Sequence, residues 1–383
     1  MKKYQFRRST AEALILLASL ILVFTLLGSR MGGANMVKTI MNTAHDLLLN
    51  TVFYLMGITV LTGALSKLMS EFGVVTLLER FLRPLMKPLY NLPGVAALGA
   101  VMTFLSDNPA IIALSKDRTF SSYFKKYQLL SLTNFGTAFG MGFVVMVTMI
   151  GYGHVAGALV GLFGAICGSV ISTRIMQRRC LKAWPELNTP VQEELAQGVP
   201  EKLPGEQDKS DRGVFMRFLN ALLDGGKNGV ELGLQIIPGV LIITTAVIMI
   251  TFGPGAGGIY DGSSSQGVPI LPWLAQKIHW VFEWLFGFES MELLAFPMTA
   301  LGAVGAALGL LPTFNAAGIL DGNAIAVFTA IGMCWSGFLS THTAMLDSLG
   351  YRKAISKALG AHAIAGLCAG IIAHFLYLLI SLF

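Results

Sequence analysis

Seven stretches of this chain are long and apolar enough to cross a bilayer, and they leave little sequence for anything else. They fall at roughly 10–28, 50–70, 127–150, 152–173, 229–253, 323–349 and 355–382, each close to the about 20 apolar residues a spanning helix needs. With 54% hydrophobic and only 13% charged residues, a water-soluble core could not hide them all. Lipid offers the backbone no hydrogen bonds, so runs of this length must close their own as helices. The expected fold class is therefore an all-α polytopic membrane protein. The first run follows Lys2, Lys3, Arg7 and Arg8 in the manner of a signal peptide. No small-residue cleavage site follows it, and it reads as a retained helix.

The net charge of +6 does not point to nucleic acid, because the basic residues form no patch or aromatic-interleaved stripe. They sort by side of the membrane instead. With a cytoplasmic N-terminus, the Lys and Arg residues at 2–8, 67–87, 116–126, 174–227 and 352–357 all fall inside, and only Arg30, Lys38 and Lys277 fall outside. That bias is the one expected of a multi-pass protein of a bacterial inner membrane in contact with anionic lipids. The four cysteines, Cys167, Cys180, Cys334 and Cys368, show no CxxC spacing, so neither a disulfide framework nor a metal site is expected. There is no Walker A sequence, dinucleotide fingerprint or HExxH. The chain reads as a non-enzyme without a cofactor, driven by an ion gradient, a partner or the solute's own gradient. A homo-oligomer is left open.

Within this frame one phrase is said twice. Ala97-Leu98-Gly99-Ala100-Val101 recurs as Ala300-Leu301-Gly302-Ala303-Val304, and the same offset carries Pro109 onto Pro312. The prolines stand in polar apices, Ser106-Asp107-Asn108-Pro109 and Pro312-Thr313-Phe314-Asn315, between arms too short to be full spans. This predicts two re-entrant helical hairpins, which membranes tolerate only where protein or a watery cavity covers them. Each apex is preceded by an amphipathic interfacial segment, Leu77 to Tyr90 and Trp273 to Phe286, and followed by a span interrupted by polar and glycine residues. Counting spans makes the halves run in opposite senses, which predicts inverted repeats with a solute site near mid-bilayer. The expected organisation is an N-terminal helix and interfacial segment at 1–45, a first repeat at 46–176, a cytoplasmic linker at 177–227 and a second repeat at 228–383. An interfacial helix is expected at Phe215 to Leu223, within the end of that linker.

Candidate site residues follow from the apices and the interrupted spans. Asp107 is the only carboxylate in an expected apex, and a charge near the bilayer centre costs at least about 2.5 kcal/mol unless paired, solvated or protonated. It reads as a substrate ligand or ion-coupling group, or as the cap of the following arm. Ser106, Asn108, Thr313 and Asn315 complete the apices. Asn134 and Thr137 lie one turn apart in the first interrupted span, and Ser336 and Thr341 lie in the second. His342, in the same span, titrates near neutral pH and is a candidate proton carrier. Glu231 and Gln235 are second-rank candidates for an ion or solute path.

The order of helix, amphipathic helix, hairpin and broken helix, given twice, resembles the Gate or nucleoside-recognition domain. Concentrative nucleoside transporters, the membrane half of ferrous-iron transporters and spore-maturation membrane proteins share it. Asn108-Pro109-Ala110-Ile111 is similar to the apex of the iron-transporter branch, without the cysteine that precedes it there, which argues against ferrous iron. Where nucleoside transporters present Gln-Thr-Glu-type groups, this chain has Ser106-Asp107-Asn108. The resemblance, over roughly 45–175 and 225–383, implies a secondary transporter of a small polar solute, nucleoside-like or another small metabolite, coupled to a proton or sodium. The alternatives are an envelope scaffold or sensor of the spore-maturation type, or a carrier of metal ions.

Overall fold

A computed structural model describes residues 2–191 and 213–382. The fold is nearly all helical, at 81%, and among the described residues seven helices are long and apolar enough to cross a membrane: Thr10–Met31, Gly33–Glu71, Lys126–Gly151, Val155–Ala183, Val214–Thr251, Gly322–Ser348 and Arg352–Ile380. They coincide with the seven apolar runs, but several overrun them, because a formed helix gains a hydrogen bond with each added residue. It stops at chemistry, not at hydropathy. Val155–Ala183 ends where Trp184, extended at φ −144° and ψ 79°, precedes Pro185, a position that disfavours the helical region. The expected linker at 177–227 is therefore helical at both ends, and 192–212 lies outside the described residues. The short interfacial helix expected at Phe215 to Leu223 is part of the continuous helix Val214–Pro238.

Burial sorts the spans into layers. The apolar stretches of Lys126–Gly151 and Gly322–Ser348 are 89% and 83% buried, against 6% for Thr10–Met31. The two interrupted spans are thus the centre of the molecule, and the N-terminal helix lies outside it. Burial from lipid brings no hydrophobic gain, so close packing must hold the centre together. Phe296 and Phe328 stack at 4.2 Å with planes 9° apart, and Phe288 and Phe314 close around the same Phe328 ring. Backbone approach does the same where Phe53–Glu71 crosses Val214–Pro238. Thr59 donates to the Gly229 carbonyl at 2.7 Å, and a Cβ on Gly229 would stand 2.2 Å from the Thr59 carbonyl oxygen. No larger residue fits that crossing.

Both central spans break. The first passes from Lys126–Thr137 to Gly142–Gly151 through Ala138 to Met141, with Met141 left-handed at φ 53°. The second passes from Gly322–Cys334 to Phe338–Ser348 through Trp335 to Gly337. Against them lie two helical hairpins. The first has arms Ala96–Leu105 and Pro109–Lys116 around a tip at Ser106 to Asn108, as expected. The second does not turn where the sequence repeat suggests. Its first arm is Ala295–Ala300, the chain breaks at Leu301 to Ala303, with Ala303 extended, and the return runs through Val304–Leu308 and Leu311–Ala316.

The doubled pentapeptide therefore occupies different places in the two halves. Residues 97–101 lie inside an arm, whereas 300–304 straddle the tip itself. Pro312 begins a helical turn, where its missing N–H is not needed, and marks no apex. Thr313 and Asn315, expected at the tip, lie in the returning arm, and Asn315 is exposed.

Candidate functional site

The first tip is built by local chemistry. Ser106 leaves the helical region at φ −125° and ψ −105°, and its hydroxyl turns back to the Met102 carbonyl at 2.6 Å. Pro109 restarts the chain, and the Ala110 N–H bonds to the Asp107 carbonyl at 3.0 Å. Between these points Asn108 points inward. Its Nδ2 donates to Asp107 Oδ1 at 3.1 Å and to Ser336 Oγ at 3.3 Å, and Ser336 donates to the Thr137 carbonyl at 2.8 Å. One amide thus links the hairpin tip to both helix breaks. Asn108 Oδ1 is buried with no hydrogen-bond partner in the protein.

Two glycines make room for this junction. A Cβ on Gly140 would lie 2.4 Å from Asn108 Nδ2 and Ser336 Oγ, and one on Gly337 would lie 2.2 Å from Thr341 Oγ1 and 2.5 Å from Asn108 Nδ2.

Beside the junction is a cavity of about 320 Å³, within the range that takes a small ligand. Both hairpin tips reach it, the first through Asp107 and Asn108, the second through Gly302 and Ala303. Ser336, Ser340, Thr341 and Gln235 add polar groups, and Ile112, Met141, Leu232 and Ile236 add apolar ones. Among the described residues Asp107 is its single charged lining residue. The arrangement can bind a small solute that offers hydrogen-bond donors to a carboxylate and an apolar face to the opposite wall.

Of the residues singled out in the sequence, Asp107, Asn108, Ser336 and Thr341 line this cavity, and the second-rank Gln235 joins them while Glu231 does not. Ser106 faces a neighbouring cavity. Thr137 spends its hydroxyl on the Thr133 carbonyl at 2.6 Å and contributes only its own carbonyl, to Ser336. Thr313 and Asn315 are not among the lining residues.

Asn134 and His342 belong to a packing network away from the cavity. Asn134 is fully buried and donates to Ser172 Oγ at 2.9 Å and to the Ala358 carbonyl at 3.0 Å. Ser172 bonds to His362 Nδ1 at 2.7 Å, and His362 Nε2 reaches the Cys334 carbonyl, freed by the break in the second span. A carbonyl only accepts, so His362 carries its proton on Nε2, Nδ1 accepts from Ser172, and the Ser172 hydroxyl accepts from Asn134. His342 bonds through Nδ1 to the Phe338 carbonyl at 2.7 Å, its ring centre 4.6 Å from that of His362.

Sequence reasoning missed the cavity wall made by Gly302 and Ala303, which carries no polar side chain to betray it. Gly140 reads from the sequence as a close-packing position and Gly337 as part of the interruption of the second span, and both pack against the Asn108 junction.

Comparison with known proteins agrees with this architecture. Residues 52–153, from the helix before the first hairpin to the end of the first broken span, match the family model described as "Gate: Nucleoside recognition". An uncharacterized protein of Alkalihalophilus pseudofirmus is 24% identical over 201 residues, which is 49% of this chain and 42% of that protein. The chain thus spans less than half the length of this curated relative. Among solved structures, CNTnw in an inward-facing substrate-bound state superposes with a TM-score of 0.52 at 15% identity, covering 97% of this chain and 86% of that one. A doubly substituted CNTnw in an outward-facing state gives 0.51 at 14% identity over 97% and 85%. The chain resembles the Gate domain in sequence and shares the fold of a concentrative nucleoside transporter.

Proposed function

We propose that this protein is a secondary transporter of a small polar solute of nucleoside type, bound in the cavity where the two hairpin tips meet the two helix breaks. The observation that carries the reading is the Asn108 junction, where one buried amide joins a hairpin tip to both helix breaks at the edge of a cavity. Non-helical backbone at that depth needs a polar neighbour to satisfy it. Asp107, Asn108, Ser336, Thr341, Gln235 and Ser340 are the solute-facing groups in this reading. A nucleoside presents ribose hydroxyls as donors to Asp107 and a flat base to the apolar wall of Leu232 and Ile236. Asp107, with Asn108 Oδ1 beside it, is the proposed coupling point for a proton or sodium. The Gate match and the shared CNTnw fold support the solute class.

The test is direct. Purified protein in liposomes should take up uridine or adenosine when given an inward proton or sodium gradient, and either nucleoside should raise its unfolding midpoint by mass action. Neither effect with any nucleoside would remove the solute class. The distribution of Lys and Arg supports an inner-membrane location with a cytoplasmic N-terminus. Ser264→Cys should then react with an impermeant maleimide from outside the cell, and Lys182→Cys should not.

A further inference from the structure

On the other side of the first hairpin tip lies a second cavity, of about 230 Å³, with the opposite chemistry. Its walls come from the helix Phe53–Glu71, the crossing helix Val214–Pro238 and the first hairpin arm. The tip divides the two chambers, Ser106 facing this one and Asp107 the other, and Leu232 lines both. Among the described residues Lys67 is its single charged lining residue.

The polar groups sort by what they have left to offer. The Thr59, Thr62 and Ser106 hydroxyls are spent on backbone carbonyls, those of Gly229 at 2.7 Å, Ile58 at 2.8 Å and Met102 at 2.6 Å. Ser66 Oγ, in contrast, is buried and has no partner in the protein. Lys67 makes no ion pair among the described residues. Its natural partner one turn on, Glu71, is committed to Arg217, whose Nε lies 2.7 Å from Glu71 Oε1. Near the end of a spanning helix a Lys ammonium can reach the polar interface, so Lys67 stays charged and available to a ligand. The uncommitted groups of Lys67, Ser66 and, at the exposed rim, Ser70 and Asn228 make the cavity rich in donors.

We infer that this cavity is a binding site for an oxyanion group, a carboxylate or phosphate, held by Lys67 Nζ and the Ser66 hydroxyl. The inference goes beyond the proposed function, since it holds whatever solute fills the first cavity. The same chemistry is offered by a free acidic solute and by the headgroup of an anionic phospholipid.

Thermal unfolding of the full-length protein in phosphatidylcholine nanodiscs tests it, with inorganic phosphate or acetate exchanged for chloride at constant ionic strength, and with phosphatidylglycerol replacing part of the lipid in a second set of discs. The expected result is stabilisation by at least one of these, with the apparent affinity weakened about tenfold or more in Lys67→Gln, as for loss of a charge-assisted hydrogen bond, and retained in Lys67→Arg. A smaller loss is expected in Ser66→Ala. A response to soluble anions assigns the site to a free solute, and a response to phosphatidylglycerol alone assigns it to a headgroup. No response to any of them, or a response that survives unchanged in Lys67→Gln, overturns the inference. Stabilisation by uridine, read in the same samples, reports on the first cavity alone and should be unchanged in Lys67→Gln.

Discussion

The two hairpin tips reach one cavity but bring different things to it. The first delivers side chains, an acid and an amide at Asp107 and Asn108, whereas the second delivers Gly302 and Ala303, little more than backbone. The first tip can choose a solute by its hydrogen bonds, and the second can only shape the space. Such an asymmetry would be lost in a picture of two equivalent polar apices. It makes the chemistry of the site one-sided.

Substitutions can break or sharpen this contrast. The largest effect should come from Asp107→Asn, which removes the one charge lining the first cavity among the described residues. Hydrogen bonds to charged groups are worth about 1.5–3 kcal/mol, so uptake should fall roughly 10- to 100-fold, and any dependence on a proton or sodium gradient should vanish. Unchanged uptake would remove Asp107 from the solute site. Next comes Gly337→Ala, whose Cβ would stand 2.2 Å from Thr341 Oγ1. Overpacking of this kind costs about 1–3 kcal/mol, visible as a lower unfolding midpoint together with weaker solute binding. Gly302→Ala should do less. Its Cβ would meet its nearest neighbours, Ile243 Cδ1 and the Thr299 carbonyl, at 3.3 Å, and the expected change is a modest rise in the solute concentration giving half-maximal uptake. A loss as large as that of Asp107→Asn would show that the second tip also selects. Asn315→Ala, exposed and away from the cavity, should leave uptake as it was.

What could be read from the sequence followed from how each feature is encoded. The seven spans were legible because a bilayer sets a length that few other structures share. The first tip was legible because Ser106-Asp107-Asn108-Pro109 concentrates turn-forming, polar and helix-starting residues where lipid would forbid them. The second tip was not, because Gly302-Ala303 is as apolar as its arms, and the recurring pentapeptide drew attention to Pro312 instead. Within the broken spans the difficulty was different. Both are buried on nearly all sides, so periodicity could not tell the face of Ser336 and Thr341, which meets the cavity, from that of Asn134, which meets Ser172 and Ala358.

The helix breaks have one more consequence, which concerns timing. The carbonyl freed at Cys334 is taken by His362, and that of Thr137 by Ser336, so each interruption is furnished from within the protein. An arriving solute does not have to unwind a helix to be seated, and none of its binding free energy is diverted into that work. In the proposed transport cycle the empty protein and the loaded one can therefore keep the same local backbone. A transporter must return empty as readily as it travels full, and a seat that stays made up between passengers is suited to both journeys.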